Sequence, residues 1–449
     1  MLLHWRVSSS RRSFFALLIA FAFTYASPAF ADATAQDATL RALSEAIEQI
    51  KAKYVGSVDD RKLAVDAIRG MLQGLDPYSD YLEPEAYGEL KQDNSGKFGG
   101  LGLEVGMESG VLRVVAAYED SPAFRAGLRP NDLITRLDEA SVAGLTLDQA
   151  IRRVRGEPDT SISLTVLRKG DAEPHVVNVR RAVIQSRSVK SALLDSGHGY
   201  IKITHFNQRT AESMLAALVE MDRQSAGGLK GVLLDLRDNP GGLLKSAVAV
   251  SSMFLPDDSL VVYTEAAAAE SRMRLQTSEA QYLWSSRAEY LRKLPNLKTL
   301  PLVVLVNSGS ASAAEIVAGA LQDHRRAIVA GTQTFGKGTV QVLLPLANGA
   351  AIKLTTAYYL TPNGQRIQGK GVTPDTVIDR GMKDVAAGTE STAAETKTVK
   401  AVDAAACASP ESVGTRDAAL LMAIPGNADD CQLMRAVEFL RHLPVLARN

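Results

Sequence analysis

The sequence has no excess of charge of either sign. Its 50 lysines and arginines balance 50 aspartates and glutamates, so the formal net charge is +0. A chain without a basic field has no global attraction for nucleic acid, and one without an acidic excess lacks a common signature of disorder. With 46% hydrophobic and 22% charged residues, the composition is that of a folded, soluble protein of ordinary type. We therefore expect no nucleic-acid partner.

Histidine and cysteine are scarce. The six histidines are scattered, and neither cysteine stands at metal-ligand spacing from one of them, so we predict no metal site and no other cofactor. The two cysteines, Cys407 and Cys431, could close a disulfide loop of about 24 residues, worth ~3 kcal/mol in the chain-entropy model. An oxidising compartment would favour this disulfide. Two unrelated buried thiols are the alternative.

The N-terminal hydrophobic run is too short to cross a membrane. Residues 14–25 carry no charge, but a spanning helix needs ~20 such residues. Arginines precede this run, and Ala29-Phe30-Ala31 places small residues where a signal peptidase reads them. We predict a cleavable signal peptide over 1–31 and export to the periplasm or cell envelope. An uncleaved anchor is the alternative, and the pair Arg11-Arg12 leaves both the general secretory and the twin-arginine routes open.

Apolar periodicity and glycine usage divide the remaining chain into four regions. Residues 38–92 have apolar side chains at helical spacing and are predicted to be helical. Residues 98–182 consist of short apolar runs punctuated by glycine, and residues 186–381 alternate strands with helices as in an α/β core. Residues 383–449 begin as a linker rich in Ala, Thr, Glu and Lys and end in a small region that holds both cysteines. The expected fold class is multidomain α+β.

The glycine-rich run at the start of the second region resembles the peptide-binding loop of a PDZ domain. Gly99-Gly100-Leu101-Gly102-Leu103 precedes the order of short strands and one helix that such a domain has. The resemblance implies that backbone amides around Leu101, Gly102 and Leu103 converge on the terminal carboxylate of a peptide, where larger side chains would block the approach. Leu101 and Leu103 would flank the pocket for the peptide's last apolar side chain.

Two short segments carry candidate catalytic chemistry. The run from Asn307 to Glu315 follows an apolar strand and opens a helix, which would hold a serine nucleophile at the positive end of that helix. A serine at a helix start is commonly only an N-cap, and Ser310 fits that simpler reading. Gly336-Lys337-Gly338 places a lysine between glycines, and a lysine serves as a general base only where burial lowers its pKa. Alone, such a lysine would be a solvated loop residue.

Together, these segments resemble the carboxyl-terminal processing proteases of peptidase family S41. The resemblance extends over about residues 40–382 and includes the run from Leu234 to Gly242, Leu-Asp-Leu-Arg-Asp-Asn-Pro-Gly-Gly. It implies a serine-type endopeptidase with an α/β core of the ClpP/crotonase-like type. In that family Ser312 would be the nucleophile, Lys337 the general base 25 positions later, and Gln341 the residue that orients the lysine.

The same resemblance implies an oxyanion hole made by the amides of Ala313 and Gly241, although Gly242 could supply the second donor instead. If Gln341 is to reach Lys337, a helical turn is expected between them, because on a strand they would be ~13 Å apart. Asp323 lies on the helix face of the nucleophile but ~16 Å along the axis, so we interpret it as structural. His205 and His324 have no companion motif that would make either a base.

These features predict an enzyme that hydrolyses peptide bonds of exported envelope proteins. Its partners would be protein or peptide substrates with apolar C-termini, which the PDZ domain selects or uses to gate the site. The sequence leaves an activating adaptor and a homo-oligomer open. An inactive PDZ scaffold would need a gap among the three catalytic positions, and none is present. A thioester-processing enzyme of the crotonase type would leave the export signal and the serine–lysine pair unexplained.

Overall fold

The structure, a computed structural model, describes residues 28–118, 120–171, 173–278, 294–378, 415–422 and 430–443. The chain divides into two compact units, Met1–Leu75 and Asp76–Asn449. Most of the predicted signal peptide, most of the predicted linker and Cys407 lie outside the described residues. Among the helices that are described, none combines the length and apolarity needed to cross a bilayer.

The first unit contains two helices, α1 (Pro28–Lys53) and α2 (Asp60–Gln73). Asp59 caps α2, because its side chain accepts a hydrogen bond of 2.8 Å from the backbone N–H of Lys62. The predicted helical character of the N-terminal region is confirmed, although α1 begins ahead of the predicted start at residue 38 and a short strand, Asp80–Leu82, lies within the predicted range 38–92. Several apolar side chains of this unit are exposed, namely Leu40, Leu43, Ile50, Tyr54, Val55, Met71 and Leu75.

The second unit contains all described strands. In chain order these are β1 (Asp80–Leu82), β2 (Lys97–Gly100), β3 (Leu103–Glu108), β4 (Val111–Ala117), β5 (Leu133–Leu137), β6 (Ala140–Ser141), β7 (Ser161–Leu167), β8 (His175–Arg180), β9 (Ala182–Gln185), β10 (Val189–Leu193), β11 (His198–Ile203), β12 (Gly231–Asp235), β13 (Leu260–Glu265), β14 (Arg274–Gln276), β15 (Leu302–Val306), β16 (Ile328–Gly331), β17 (Thr339–Pro345), β18 (Ala351–Leu360) and β19 (Thr376–Val377). Its helices are α3 (Pro84–Ser95), α4 (Pro122–Arg125), α5 (Leu147–Val154), α6 (Thr210–Gln224), α7 (Leu244–Ser251), α8 (Ala313–Asp323), α9 (Thr415–Met422) and α10 (Cys431–Arg441), with a 3-10 turn at Ala269–Ser271.

A β-rich domain fills the predicted PDZ region. Its sheet has the order β3-β4-β5-β7-β8, with β6 paired to β5, and it encloses its own apolar core. Strands β2 and β9, where the chain enters and leaves the domain, form a separate two-stranded sheet. Strand β3 is an edge strand that pairs with β4 alone among the described strands, so its other side is open to strand addition.

The α/β core is built on a six-stranded sheet of order β10-β11-β12-β15-β16-β19, parallel except for β10. Strands β12 and β15 are buried along their whole length, as expected of parallel strands covered on both faces. Side chains alternate between the faces: those such as Val304 pack with helices α6, α7 and α8, and those such as Leu305 pack with α9 and α10. The C-terminal helices therefore form the second cover of this sheet.

One ion-pair network attaches the last helix to the sheet. Arg237, 2% exposed, follows β12 and donates to Asp235 and, at 2.8 Å, to Asp430 Oδ1. Asp430 also caps α10 by accepting from the backbone N–H of Leu433. The adjacent Cys431 is disulfide-bonded. These contacts fix the C-terminal region against the strand that leads into the candidate site.

A second, antiparallel sheet lies beside the core. It has the order β1-β18-β13-β14, with β17 also paired to β18. The register between β17 and β18 shifts between Val340 and Gln341, which marks a β-bulge or similar irregularity. The multidomain α+β class, with a helical N-terminal region, a β-rich domain and an α/β core, is confirmed.

Candidate active site

The candidate residues meet at one edge of the parallel sheet. Strands β12, β15 and β16 run parallel, so the loops that follow them emerge at the same edge. The loop after β12 carries Gly241 and Gly242, the loop after β15 carries Ser312, and the loop after β16 carries Lys337. Topology alone therefore brings together three loops that are spread over about a hundred residues of sequence.

Ser312 has the backbone of a strained nucleophile. Its φ is 54°, a left-handed conformation that L-residues seldom adopt, and helix α8 begins at the next residue. This turn places the side chain at the N-terminus of α8, where the helix dipole favours developing negative charge. Ser312 itself occupies the N-cap position. The alternative in which Ser310 is the cap is therefore excluded: its buried hydroxyl donates instead to the carbonyl of Leu236 at 2.8 Å.

A buried carboxylate connects the serine loop to the lysine loop. Glu315, 0% exposed, uses one oxygen, Oε2, to accept from the backbone N–H groups of both Ser312 and Lys337, at 2.8 and 2.9 Å. Its other oxygen, Oε1, accepts at 2.6 Å from Thr334 Oγ1 and at 2.6 Å from the backbone N–H of Gly336. The two catalytic candidates are thus held by a single oxygen atom. Burial raises the pKa of Glu315, while these four donors act in the opposite direction.

Lys337 lies just before strand β17, half-buried, with its ammonium 5.1 Å from the centre of the Tyr78 ring. Burial lowers the pKa of Lys337, and the positive charge of Lys353 lowers it further. Both causes favour the neutral amine that a general base requires. No hydrogen bond joins Lys337 Nζ to Ser312 Oγ in the described chain, and such bonds often tighten only when substrate is present.

Gln341 is not on a helical turn, so that prediction is wrong. It is the third residue of β17, and its amide donates to the hydroxyls of Thr339 and Thr355 at 2.7 and 3.3 Å rather than to the lysine. The register shift before Gln341 turns its side chain toward the cavity that Lys337 also lines. Gln341 therefore reaches the site from a strand, through hydroxyl groups.

Gly241 does not offer a free donor for an oxyanion. Its N–H is already bonded to Asn239 Oδ1 at 2.9 Å, because Asn239 closes a local turn. The N–H of Gly242 donates to no described acceptor, and Gly242 lines the cavity. The N–H of Ala313, at the first position of α8, is likewise unused within the described residues. The pair of amides that the geometry leaves available is Ala313 and Gly242, which corrects the assignment to Gly241.

A cavity of about 990 Å³ collects these groups. Ser312, Lys337 and Gln341 line it together with Pro240 and Gly242 of the turn after β12. Its remaining walls combine apolar side chains, suited to an extended peptide, with a few polar ones. The cavity contains a nucleophile, a base of lowered pKa and the amide of Gly242, and the amide of Ala313 directly follows the nucleophile, so the components of acyl transfer to serine are present.

Comparison with known proteins identifies the family. The sequence model of peptidase family S41 matches residues 197–378, that of the PDZ domain matches 113–168, and that of the N-terminal domain of the activating protease CtpB matches 24–86. The carboxy-terminal-processing protease of Bartonella bacilliformis is 39% identical over 359 residues, which make up 80% of this chain and 79% of that protein. The chain belongs to peptidase family S41.

A second relative agrees with this assignment. The carboxy-terminal processing protease CtpB of Bacillus subtilis is 36% identical over 360 residues, 79% of this chain and 71% of that protein. Among solved structures, the photosystem II D1 C-terminal processing protease is 29% identical, with a TM-score of 0.42 over 74% of this chain and 85% of the other. The protein is a C-terminal processing serine protease with a PDZ domain.

The PDZ domain of the protease presents its predicted loop mainly as backbone. Leu101 is 1% exposed within the domain core, so its side chain does not border an open pocket as expected, while Leu103 is half-buried. Gly102 has a φ of +74°, and a Cβ there would lie 2.3 Å from Cβ of Ser121. The carbonyls of Leu101 and Gly102 accept from Ala123 and Tyr118. Their N–H groups have no backbone acceptor within the described residues, so they are available to a carboxylate.

Sequence reasoning missed three residues around the catalytic pair of the protease. Glu315 stands inside the recognised serine segment, and its position three residues after a helix-opening serine could have drawn attention to it. Tyr78 follows a proline break, and Lys353 lies within an apolar strand, so neither belongs to a motif. Asp323 and His324 are structural, because they bond the backbone of Asn363 and of Leu260.

Proposed function

We propose that this protease is exported and that it cleaves proteins of the periplasm or cell envelope near their C-termini, using Ser312 as nucleophile and Lys337 as general base. The observation that carries the proposal is the bridge through Glu315: one buried oxygen accepts from the backbone of both residues. Their side chains enter the same cavity. A nucleophile and a base held by one atom form a single unit, as activation of serine requires.

In the proposed reaction the neutral amine of Lys337 takes the proton of Ser312 Oγ while Oγ attacks the scissile carbonyl carbon. The carbonyl oxygen, now negative, accepts hydrogen bonds from the N–H groups of Ala313 and Gly242. Lys337 then gives its proton to the leaving amine, the C–N bond breaks, and an acyl-enzyme ester remains. Water attacks that ester, with Lys337 accepting its proton and returning it to Oγ as the acid leaves.

Gln341 supports this reaction indirectly in our proposal. Its amide is held by Thr339 and Thr355, and Thr355 in turn donates to Asp76 at 3.1 Å. Asp76 also accepts from the backbone N–H of Tyr78, whose ring faces the Lys337 ammonium. These contacts, through Gln341 on one side and Asp76 on the other, fix part of the protein that surrounds Lys337. Gln341 is therefore a positioning residue rather than one that touches substrate.

The PDZ domain, in the same proposal, selects or gates substrates by their apolar C-termini. The open edge of β3 and the unused amides of Leu101 and Gly102 support binding of a chain terminus by strand addition. Cleavage of one client with a free and with an amidated C-terminus, by the full chain and by a form lacking the PDZ domain, tests this role. Equal rates in all four combinations would contradict it.

Substitution tests the catalytic pair. Ser312→Ala and Lys337→Ala are each expected to abolish cleavage of a denatured protein substrate, since each removes half of one unit. Lys337→Arg is expected to be inactive as well, because a guanidinium does not lose its proton near neutral pH. A fluorophosphonate probe should label wild type at Ser312 and should not label Ser312→Ala. Turnover that persists in either alanine variant would contradict the assignment.

Export is tested separately. An epitope-tagged chain is expected in the periplasmic fraction with its N-terminus beginning at Asp32, as determined by Edman sequencing or mass spectrometry. A tagged chain that keeps residues 1–31 and stays with the membrane would support the anchor, and one that stays in the cytosol would contradict export.

A further inference from the structure

The charged side chains that line the catalytic cavity are all positive. Of the described residues, three lysines contribute to the wall, Lys245, Lys337 and Lys353, and no aspartate or glutamate does. Lys337 is assigned to the reaction as its base. The other two give the cavity a positive potential that the mechanism does not use, and a concave site of one charge sign attracts ligands of the opposite sign.

Of these two lysines, Lys353 is the better placed to bind an anion. It lies in the middle of β18, half-buried, and its side chain makes no ion pair or hydrogen bond among the described residues. An ammonium withdrawn from water without a partner is unfavourable, so a bound anion at this position would be stabilised. Lys245, by contrast, is exposed in the first turn of α7, where water already solvates it.

The neighbours of Lys353 in the sheet do not neutralise it. Asp80 of β1 lies opposite in register, but its carboxylate accepts from the backbone N–H of Tyr81 at 2.8 Å and forms no ion pair with the lysine. On the other side, Leu343 of β17 is the register partner, and it is apolar. Strand pairing on both sides thus fixes the backbone of Lys353, while its charge stays available to the cavity.

Lys353 is also close to the reacting groups. Although burial is the larger cause, the charge of Lys353 contributes to lowering the pKa of Lys337. An anion bound at Lys353 would therefore lie beside the base and, through it, beside the scissile bond. Such an anion would cancel the effect of Lys353 on the pKa of Lys337, which is the smaller of the two causes. The larger cause, burial, would increase as substrate excludes water.

We propose that Lys353 is a specificity-determining residue that binds a carboxylate of the substrate next to the scissile bond. This inference rests on the proposed function, since it takes Ser312 as the point of cleavage. The carboxylate has two sources, an aspartate or glutamate side chain near the cleaved bond or the terminal carboxylate of the chain itself. The second source would limit cleavage to the last few residues of a client.

Peptides that differ by one charge distinguish these sources. A parent peptide with an amidated end and no acidic residue is cleaved by wild type, and mass spectrometry gives the cleaved bond. One series then carries Asn→Asp changes at successive positions around that bond. A second series ends at those positions with a free carboxylate. Values of kcat/KM are measured for wild type, Lys353→Gln, Lys353→Arg and, as the matched control, Lys245→Gln.

Wild type is expected to cleave at least one carboxylate peptide about tenfold or more faster than its neutral counterpart, the ratio typical of a hydrogen bond to a charged group. Lys353→Gln should reduce this ratio to about one, whereas Lys353→Arg and Lys245→Gln should retain it. Because a ratio is compared, any effect of Lys353 on the base cancels. A preference exerted through the PDZ domain would survive Lys353→Gln.

A ratio near one at every position in wild type, or a preference that survives Lys353→Gln, would overturn the inference while cleavage itself stands. Failure of the proposed function has a different signature, because the neutral parent peptide would then be cleaved equally by Ser312→Ala. Probe labelling of Ser312 in the Lys353 variants confirms that their catalytic loops are folded.

Discussion

Replacing the carboxylate of Glu315 by an amide should weaken the hydrogen-bonded connection between the serine loop and the lysine loop. In Glu315→Gln, the remaining carbonyl oxygen can stay at the position of Oε2 and keep the N–H groups of Ser312 and Lys337. The new NH₂ group then faces Thr334, whose hydroxyl can rotate to accept, and the N–H of Gly336, which cannot. One buried N–H without an acceptor costs about 1–3 kcal/mol, so a loss of that size in unfolding free energy is expected.

The kinetic effect of this substitution should appear in kcat rather than in KM. Gly336 precedes the base, so the displacement that relieves the facing donors also moves Lys337 away from Ser312. A misplacement of about 1 Å can cost about 100-fold in rate, and we expect kcat to fall by up to that factor. Substrate binding uses other walls of the cavity and should be little affected. If Glu315 only supported the fold, its substitution would lower the stability and leave the kcat of the folded fraction unchanged.

Glu212 provides the matched control. Like Glu315 it is the third residue of a helix, α6, but it is exposed and makes no hydrogen bond among the described residues. Glu212→Gln should cost at most about 0.3–1 kcal/mol, through its interaction with the helix dipole. Urea unfolding, peptide kinetics and the rate of fluorophosphonate labelling are measured for both variants. Wild-type kcat and labelling rate in Glu315→Gln would refute the role given to this carboxylate.

Three further predictions follow from the same geometry. Activity should decline as the pH falls below the lowered pKa of Lys337, and Lys353→Gln should move this decline to higher pH because a like charge is removed; an unmoved pH profile would contradict it. Gly241→Ala should impair activity at least tenfold, since the new Cβ would lie 2.7 Å from Cβ of the nucleophile at a φ of +102°, and wild-type kinetics would refute the tight approach. Asp430→Asn should destabilise the fold by about 1–3 kcal/mol, measured in urea, by weakening a buried contact with Arg237; an unchanged midpoint would show that Asp235 suffices.

The sequence was sufficient to predict the loops that form the site but not the backbone detail within them. Strand–turn–helix patterning located the serine segment, because apolar runs and helix starts are recorded in side chains, but the choice of Ser312 within it came from the resemblance to the protease family. The absence of a helical turn before Gln341 was not predictable, since the register shift that directs this residue is a property of strand pairing. Likewise, the sequence does not distinguish the roles of Gly241 and Gly242, and only the hydrogen bond that the N–H of Gly241 donates to Asn239 shows which amide is occupied.

Residues that act through proximity were the least visible in the sequence. Tyr78 and Lys353 approach Lys337 from β-structure that is far from it in the chain, and neither lies in a pattern with chemical meaning. The burial of Leu101 in the PDZ core was missed for a related reason: a glycine-rich run shows where a backbone is accessible but not which way its side chains turn. Periodicity records local structure, whereas these contacts arise from tertiary packing.

The helices that cover the two faces of the central sheet are synthesised at different times, which affects how the enzyme folds. All catalytic loops are synthesised before α9 and α10, yet until these helices are made Leu233 and Leu305 of the sheet lack the helical cover described for that face. Arg237, which precedes the turn that contains Gly242, can then donate hydrogen bonds to Asp235 but not yet to Asp430. A nascent chain would thus carry its nucleophile and base before the second face of the sheet beneath them is covered.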